Sequence, residues 1–314
     1  MELAVALQHL AYLVALAREG HFGRAAAACG VTQPTLSAGI RRLEQETGLP
    51  LVRRGQRYEG LTPEGERVLG WAQRIHADVD GLEEEVDAVR RGLSGRLRLG
   101  AVPTSLSSAA SLTRPFRDAY PGVTIAVYSL NSRQIERGLA DYELDLGLTY
   151  LDSEPLEGVR TLPLYRERYL LLTATDGPLG RREHVGWAEA AELPLCLLTA
   201  DMQNRRIVDA LFAEAGASPR PVLETNSVST LYLHVCDGAS STVMAHPWLQ
   251  QFGVPPGMRA VPLVDPSATR AMGLVWLDRD PEPLLVAALL GIARGLDLEP
   301  VLDSPSLSAA RAGR

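Results

Sequence analysis

Four stretches of the chain place their apolar residues at helical spacing, and each is bounded by the kind of residue a helix end requires. Over residues 2–19, Leu3, Leu7, Leu10, Leu13, Val14 and Ala17 fall on one side, and Gly20 follows. Residues 22–43, FGRAAAACGVTQPTLSAGIRRL, read as two short helices about a turn at Gly30. Thr32 is placed to cap the second helix, and Gln33 and Pro34 fill its first turn, where a proline's missing N–H costs nothing. Val31, Leu36, Ile40 and Leu43 then face inward, while Gln33, Thr35, Ser37, Arg41 and Arg42 face out. The turn Gly48-Leu49-Pro50 precedes LVRR and QRYEGL, which predict a two-stranded wing. Thr62-Pro63-Glu64 opens the longest helix. Along it Val68, Ala72, Ile75, Val79, Leu82, Val86, Val89 and Leu93 recur at steps of four and three, with charges elsewhere. A heptad seam of this kind cannot bury itself alone and predicts a homodimer.

Past a linker at 92–95 the pattern changes to strands alternating with helices. Strands are expected at 97–101, 123–128, 144–149, 168–173, 195–199, 222–224, 242–245, 259–264 and 272–277. Helices are expected at 107–120, 132–140, 187–191, 203–215, 228–236 and 282–295. This alternation predicts an α/β unit with a largely parallel sheet. The resulting division is 1–61 (winged helix-turn-helix), 62–94 (linker helix), 95–300 (α/β unit) and 301–314, a Ser/Ala/Gly-rich tail expected to be disordered.

Composition changes the picture in two places. The net charge of −7 is unexpected for a nucleic-acid binder, yet residues 1–60 hold seven arginines against five glutamates, so the basic charge is local. Cys29, Cys196 and Cys236 are odd in number and far apart, which gives neither a disulfide framework nor a metal-ligand spacing. No signal peptide or membrane-length apolar run is visible, and the expected compartment is a reducing cytoplasm.

The chemistry of residues 22–43 suits a DNA major groove. Small hydroxyls and amides pair with base edges, and arginines reach guanine or phosphate. A helix-turn-helix also requires a small residue where its helices touch (Ala26), a turn glycine (Gly30) and an apolar residue beyond it (Leu36), and all three are present. Arg53, Arg54 and Arg57, clustered on the wing, would straddle a phosphate backbone. The candidate DNA-binding residues are therefore Gln33, Pro34, Thr35, Ser37, Arg41, Arg42, Arg53, Arg54 and Arg57. Residues 3–66, through the landmarks AREGHFGRAA, VTQPTLSAGIRRLEQETG, LVRR and LTPEGE, resemble the N-terminal winged helix-turn-helix of LysR-type transcriptional regulators.

In the second part, Val102-Pro103-Thr104-Ser105 follows a strand and precedes a helix, gathering hydroxyls and free N–H groups into a setting for an anion. Asn131-Ser132, Met202-Gln203-Asn204 and Asn226-Ser227 repeat the arrangement. The stretch RLRLGAVPTSLSSAASLTRPFRDAYPGVTIAVY resembles the start of the LysR effector-binding domain. That resemblance implies two α/β subdomains like those of type 2 periplasmic binding proteins, 95–162 with 268–296 and 163–267, with a small effector between them. It implies Thr104, Ser105 and Ser132 as effector contacts, joined by Thr149, Tyr150, Met202, Asn204 and Asn226, and a tetramer built from dimers. Arg133, Arg160, Arg205 and Arg206 are candidates to neutralise an anionic ligand. No Gly-x-Ser-x-Gly elbow, phosphate-cradling loop or zinc spacing points to an enzyme, and a transported-solute binder would carry an export signal in place of a helix-turn-helix. The expectation is a regulator without cofactor or metal, whose partners are double-stranded DNA, a small anionic effector, further copies of the chain and, as a candidate, RNA polymerase.

Overall fold

The structure, a computed structural model, describes residues 5–54 and 58–303. It divides into two compact units, Met1–Leu93 and Ser94–Arg314.

The first unit contains α1 (Leu7–Glu19), α2 (Phe22–Ala28), α3 (Gln33–Thr47), β1 (Val52–Arg54), β2 (Tyr58–Leu61) and α4 (Pro63–Arg91). The first helix starts at Leu7 and not at residue 2; Ala6 before it is extended. Gly20 closes it in the left-handed conformation (φ 60°), its N–H bonded to Leu16 O. The core comprises Leu13, Leu16, Leu36, Ile40, Leu43 and Leu51, all fully buried. Two features were not foreseen in the sequence. A Cβ on Gly39 would lie 2.5 Å from the Tyr12 ring, so α3 rests on α1 only because residue 39 has no side chain. Glu44 reaches from α3 to accept from Leu51 N (3.0 Å) and Val52 N (3.2 Å), pinning the wing to the helix.

Thr62 caps α4 by accepting from Gly65 N at 2.9 Å, with Glu64 and Glu66 in the first turn and Arg90 and Arg91 in the last. The seam on this 29-residue helix has two uses. Val68, Ala72 and Ile75 pack into the core of this unit. Leu82, Val86 and Val89 are exposed.

The second unit contains β3 (Gly95–Ala101), a 3-10 turn (Pro103–Ser105), α5 (Leu106–Ala119), β4 (Val123–Ser129), α6 (Ser132–Ala140), β5 (Leu146–Tyr150) and β6 (Val159–Ala174). There follow β7 (Val185–Gly186), α7 (Trp187–Ala190), β8 (Cys196–Leu198), α8 (Gln203–Glu214), β9 (Leu223–Thr225), α9 (Val228–Val235) and β10 (Thr242–Ala245). The chain ends with α10 (His246–Phe252), β11 (Met258–Val264), β12 (Thr269–Leu277), α11 (Leu284–Arg294) and α12 (Leu298–Asp303). The order of the main sheet is β4-β3-β5-β12-β6-β11-β7, with β10 also on β6; β8 and β9 form a separate parallel pair.

The sheet is mixed, not largely parallel. β3 runs parallel to β4 and β5, but β12 is antiparallel to β5 and β6, and β10 and β11 are antiparallel to β6. The cause is the sixteen-residue β6, of which the sequence pattern shows only the last third. Its first part, VRTLPLYRER, is polar and contains Pro163, which reads as a connection. Pro163 lies at a register irregularity opposite Gly273, where a missing ladder donor is tolerated. β6 pairs with β12 through Arg168 and with β10 from Tyr169 onward. The family resemblance implies a crossing near residues 162–163; the exchange of partners lies between 168 and 169. It divides the unit into a first half (β3, β4, β5, β12, α5, α6, α11) and a second half (β7 to β11 and α7 to α10). The tail expected to be disordered from residue 301 contributes its first three residues to α12, and 304–314 lie outside the described residues.

Candidate functional site

The outward face of α3 carries the candidate base-reading residues. Thr32 accepts from Thr35 N at 3.4 Å, and the two threonine hydroxyls share a hydrogen bond of 2.8 Å. Gln33, Pro34, Thr35, Arg41 and Arg42 are exposed and Ser37 is half-buried, while Leu36, Ile40 and Leu43 are sealed in the core behind them. Arg42 Nε donates to Glu46 at 2.8 Å, and this guanidinium holds the Glu46 carboxyl below its usual range. Arg41 therefore has the freer role of the two. On the wing, Arg53 is exposed and its Nε donates to Leu61 O at 2.7 Å, which fixes the guanidinium across the hairpin. Arg57 and the side chain of Arg54 lie outside the described residues. His21, unremarked in the sequence, caps α2 by accepting from Gly23 N at 3.0 Å and Arg24 N at 3.4 Å.

In the second unit a cleft of about 700 Å³ opens between the halves. Pro103, Leu106, Ser107, Asn131 and Gln134 line it from the first half, and Met202, Asn226, Ser229, Trp248 and Phe252 from the second. Several helices begin at its walls. Asn131 and Gln134 close a reciprocal capping box on α6, each bond 2.9 Å. Met202 precedes α8, and Ser227 caps α9 by accepting from Thr230 N at 3.3 Å. These helix starts place positive dipole ends beside the cleft. The rings of Trp248 and Phe252 stack at 4.1 Å and supply an aromatic wall. Ser107, near the start of α5, is buried, and its hydroxyl has no hydrogen-bond partner among the described residues.

Of the effector contacts expected from the sequence, Met202 and Asn226 line this cleft. The others are not among its lining residues. Ser105 is fully buried and donates to Val102 O at 2.9 Å, and Ser132 lies 3.4 Å from Arg206 Nη2. Thr149 donates to Gln203 at 3.3 Å. Thr104 and Asn204 both meet the Tyr150 hydroxyl, at 3.2 and 2.9 Å. Three of the candidate arginines are engaged with carboxylates: Arg205 with Asp209 (2.8 Å) and Glu224 (2.5 Å), Arg206 with Glu154 (2.5 Å), and Arg160 with Asp278 (2.5 Å). Arg133 joins Arg206 in holding Glu154 low.

The residues missed were Ser107, Gln134, Trp248, Phe252 and Glu167. A run such as SLSS signals hydroxyls without saying which one faces a cavity. Glu167, in the segment RER, has the sequence signature of a surface residue, yet it is fully buried. Burial pushes the Cys29 and Cys196 thiols up, and Cys236 donates to Tyr232 O at 3.0 Å. Among the described residues no group of three metal-ligating side chains exists, and no helix is long and apolar enough to cross a membrane.

Comparison with known proteins accounts for both units. Residues 7–66 match the family described as bacterial regulatory helix-turn-helix protein, lysR family, and residues 90–296 match the LysR substrate binding domain. A probable hydrogen peroxide-inducible genes activator from Streptomyces viridosporus is 34% identical over 78% of this chain and 78% of its own length. The DNA-binding transcriptional dual regulator OxyR of Escherichia coli K12 is 31% identical, over 88% of this chain and 90% of its own. Among solved structures, a point variant of full-length OxyR from Pseudomonas aeruginosa superposes with a TM-score of 0.75 at 26% identity, covering 93% of this chain and 98% of that one.

Proposed function

The chain belongs to the LysR family of DNA-binding transcriptional regulators, and on that premise we propose that it is a cytoplasmic regulator switched by a small anionic metabolite held in the cleft between Ser107 and Trp248. It is a regulator, not an enzyme. The observation that carries the effector reading is the convergence of helix starts on one cleft that also holds a buried hydroxyl with no hydrogen-bond partner among the described residues. The anion's charge would be met by backbone N–H groups and by Ser107, Asn226 and Ser229, because Arg160, Arg205 and Arg206 are already paired. Its apolar body would lie against Leu106, Met202, Trp248 and Phe252. Thr104, Ser105, Ser132, Thr149, Tyr150 and Asn204 would shape the wall from behind.

On the DNA side, Gln33, Thr35 and Ser37 approach bases, and Arg41 with the wing arginines approaches base or phosphate. The exposed stripe Leu82–Val86–Val89 pairs with a second copy, presenting two recognition helices to a two-fold site. Dimers would assemble further into a tetramer, with RNA polymerase as a candidate partner on the promoter.

The relatives' names raise a second reading, response to hydrogen peroxide. Oxidation by peroxide needs an accessible thiolate. Among the described residues no cysteine lines the cleft, burial raises the Cys29 and Cys196 thiols, and Cys236, though exposed, lies outside the cleft lining with its thiol donating to Tyr232 O. We therefore favour ligand binding over thiol chemistry. Thermal-shift screening of the full chain with small carboxylates of increasing apolar bulk should raise Tm for a subset, and the Ser107→Ala with Trp248→Ala variant should lose that response while keeping operator binding. A regulator whose operator complex changes with peroxide, and whose thiol count falls in step, would reverse the choice.

A further inference from the structure

The start of α8 and the end of β5 meet over a carboxyl group shut off from water. Glu167, on β6, is fully buried and accepts from the Tyr150 hydroxyl at 2.5 Å. That hydroxyl also accepts from Asn204 Nδ2 at 2.9 Å and lies 3.2 Å from Thr104 Oγ1. A phenol has one proton to donate and two lone pairs, so these three partners saturate Tyr150. Thr104 and Tyr150 belong to the first half and Asn204 to the second, and Glu167 sits two residues before β6 begins pairing with β10. The node therefore ties the halves together beside the strand that joins them.

Two atoms of the node are left over. Glu167 Oε2 and the Tyr169 hydroxyl are buried without a hydrogen-bond partner among the described residues, although the two groups are near enough to influence each other. A dry, unpaired carboxylate oxygen is unfavourable. A protonated carboxyl turns the same oxygen into a donor, which the Tyr169 hydroxyl can accept.

We infer that Glu167 is a proton-binding site that latches the two halves of the effector unit: protonated, it completes the Tyr169–Glu167–Tyr150–Asn204 chain, and ionised, it favours parting of α8 from β5. Burial pushes this carboxyl up to about 7 and outweighs the opposing hydrogen-bonding influence of Tyr150, Tyr169 and Asn204. Parting the halves wets Glu167 and returns it to the ordinary carboxylate range near 4.5. The closed form thus binds the proton more tightly. The latch is at full strength below that ordinary range, weakens as pH rises towards about 7, and is level above it. From about pH 5.5 to 7.5 the open-to-closed ratio should rise on the order of 20-fold.

The groups facing Glu167 are Tyr150 from β5, Tyr165 and Tyr169 from its own strand, and neutral Asn204 from α8. Arg270 of β12 stands opposite in register and acts on Tyr169, and His246 of α10 packs its ring against Tyr165 at 6.4 Å. The three tyrosines are pushed up by burial and stay protonated throughout. Histidine titrates in the same range as Glu167, so His246 is the necessary control.

Hydrogen exchange on the full-length protein, read at peptides covering 146–150 and 203–208 and corrected for intrinsic exchange, tests the latch. Opening in the wild type should increase about 20-fold across that pH interval. It should be independent of pH in Glu167→Gln and raised at every pH in Tyr150→Phe. A pH profile that persists in Glu167→Gln and vanishes in His246→Gln would overturn the assignment. Should Glu167→Gln fail to fold, infrared spectroscopy of the wild type decides: a protonated-carboxyl band must survive above pH 6 and disappear with the exchange midpoint. Its absence would equally overturn the proposal.

Discussion

A methyl group at position 39 would sit 2.5 Å from the ring of Tyr12, closer than real Cβ contacts come. Alanine is favoured over glycine in a helix by about 1 kcal/mol, whereas overpacking a filled core costs about 1–3 kcal/mol. The two effects oppose each other, and contact with a buried ring decides the sign. Gly39→Ala should therefore destabilise the N-terminal unit, measurable as an earlier first transition in chemical denaturation, and Tyr12→Leu in the same chain should recover part of the loss. Leu36→Ala, which empties a fully buried site, should cost about 2–5 kcal/mol in the same assay.

Among the elements, α4 and the wing carry the clearest consequences. The heptad stripe of α4 is spent on the core at Val68, Ala72 and Ile75 and left open at Leu82, Val86 and Val89, so its ends can be tested separately. Val86→Glu with Val89→Glu should convert dimer to monomer in sedimentation velocity while helix content stays unchanged, since neither side chain contributes to the core. On the wing, Arg53 is one phosphate contact in the proposed arrangement. Arg53→Ala should lower the slope of log K against log salt by about 1 and weaken all sequences alike. Gln33→Ala should instead relax preference at one base position, at a cost of about 1–3 kcal/mol on the specific site only. If both variants altered salt dependence equally, the division between base-reading and phosphate-holding residues would be wrong.

For the whole molecule, the long β6 is the structural decision from which the ligand site follows. It runs through both halves of the second unit, so the cleft walls are connected by one continuous strand, and a change at Glu167 lies in the path between them. The residues expected from family resemblance to touch the effector are split by this arrangement. Met202 and Asn226 line the cleft, whereas Thr104, Tyr150 and Asn204 are absent from its lining and hydrogen-bond one another. Phe252, which stacks on Trp248 while remaining exposed, offers a probe of occupancy. Phe252→Ala should weaken the bound effector by about 0.5–1.5 kcal/mol, the worth of one aromatic contact, with operator affinity in the absence of effector unchanged.

Local signals were sufficient for the helix-turn-helix. Cap residues, the 3.6 period and the small residue at Ala26 act over a few positions, so α2, α3 and the start of α4 were legible, and each strand expected past the linker is present at least in part. The heptad period showed a stripe on α4 but not how that stripe divides between a core and a free face, because that depends on what packs against each turn. Period-two alternation could not reveal the first part of β6, whose polar side chains and Pro163 are accommodated by Gly273, on a strand far along the chain. Nor could composition show that Glu167 is buried or that Arg205 and Arg206 are already paired. A charged residue reads as solvated until the fold supplies its partner, and those partners are Tyr150, Glu224 and Glu154, each distant in sequence. The sequence by itself determined the helix-turn-helix and at least part of each expected strand, because those signals are local; the tertiary structure alone decided which polar groups line the cleft and which are engaged with one another instead.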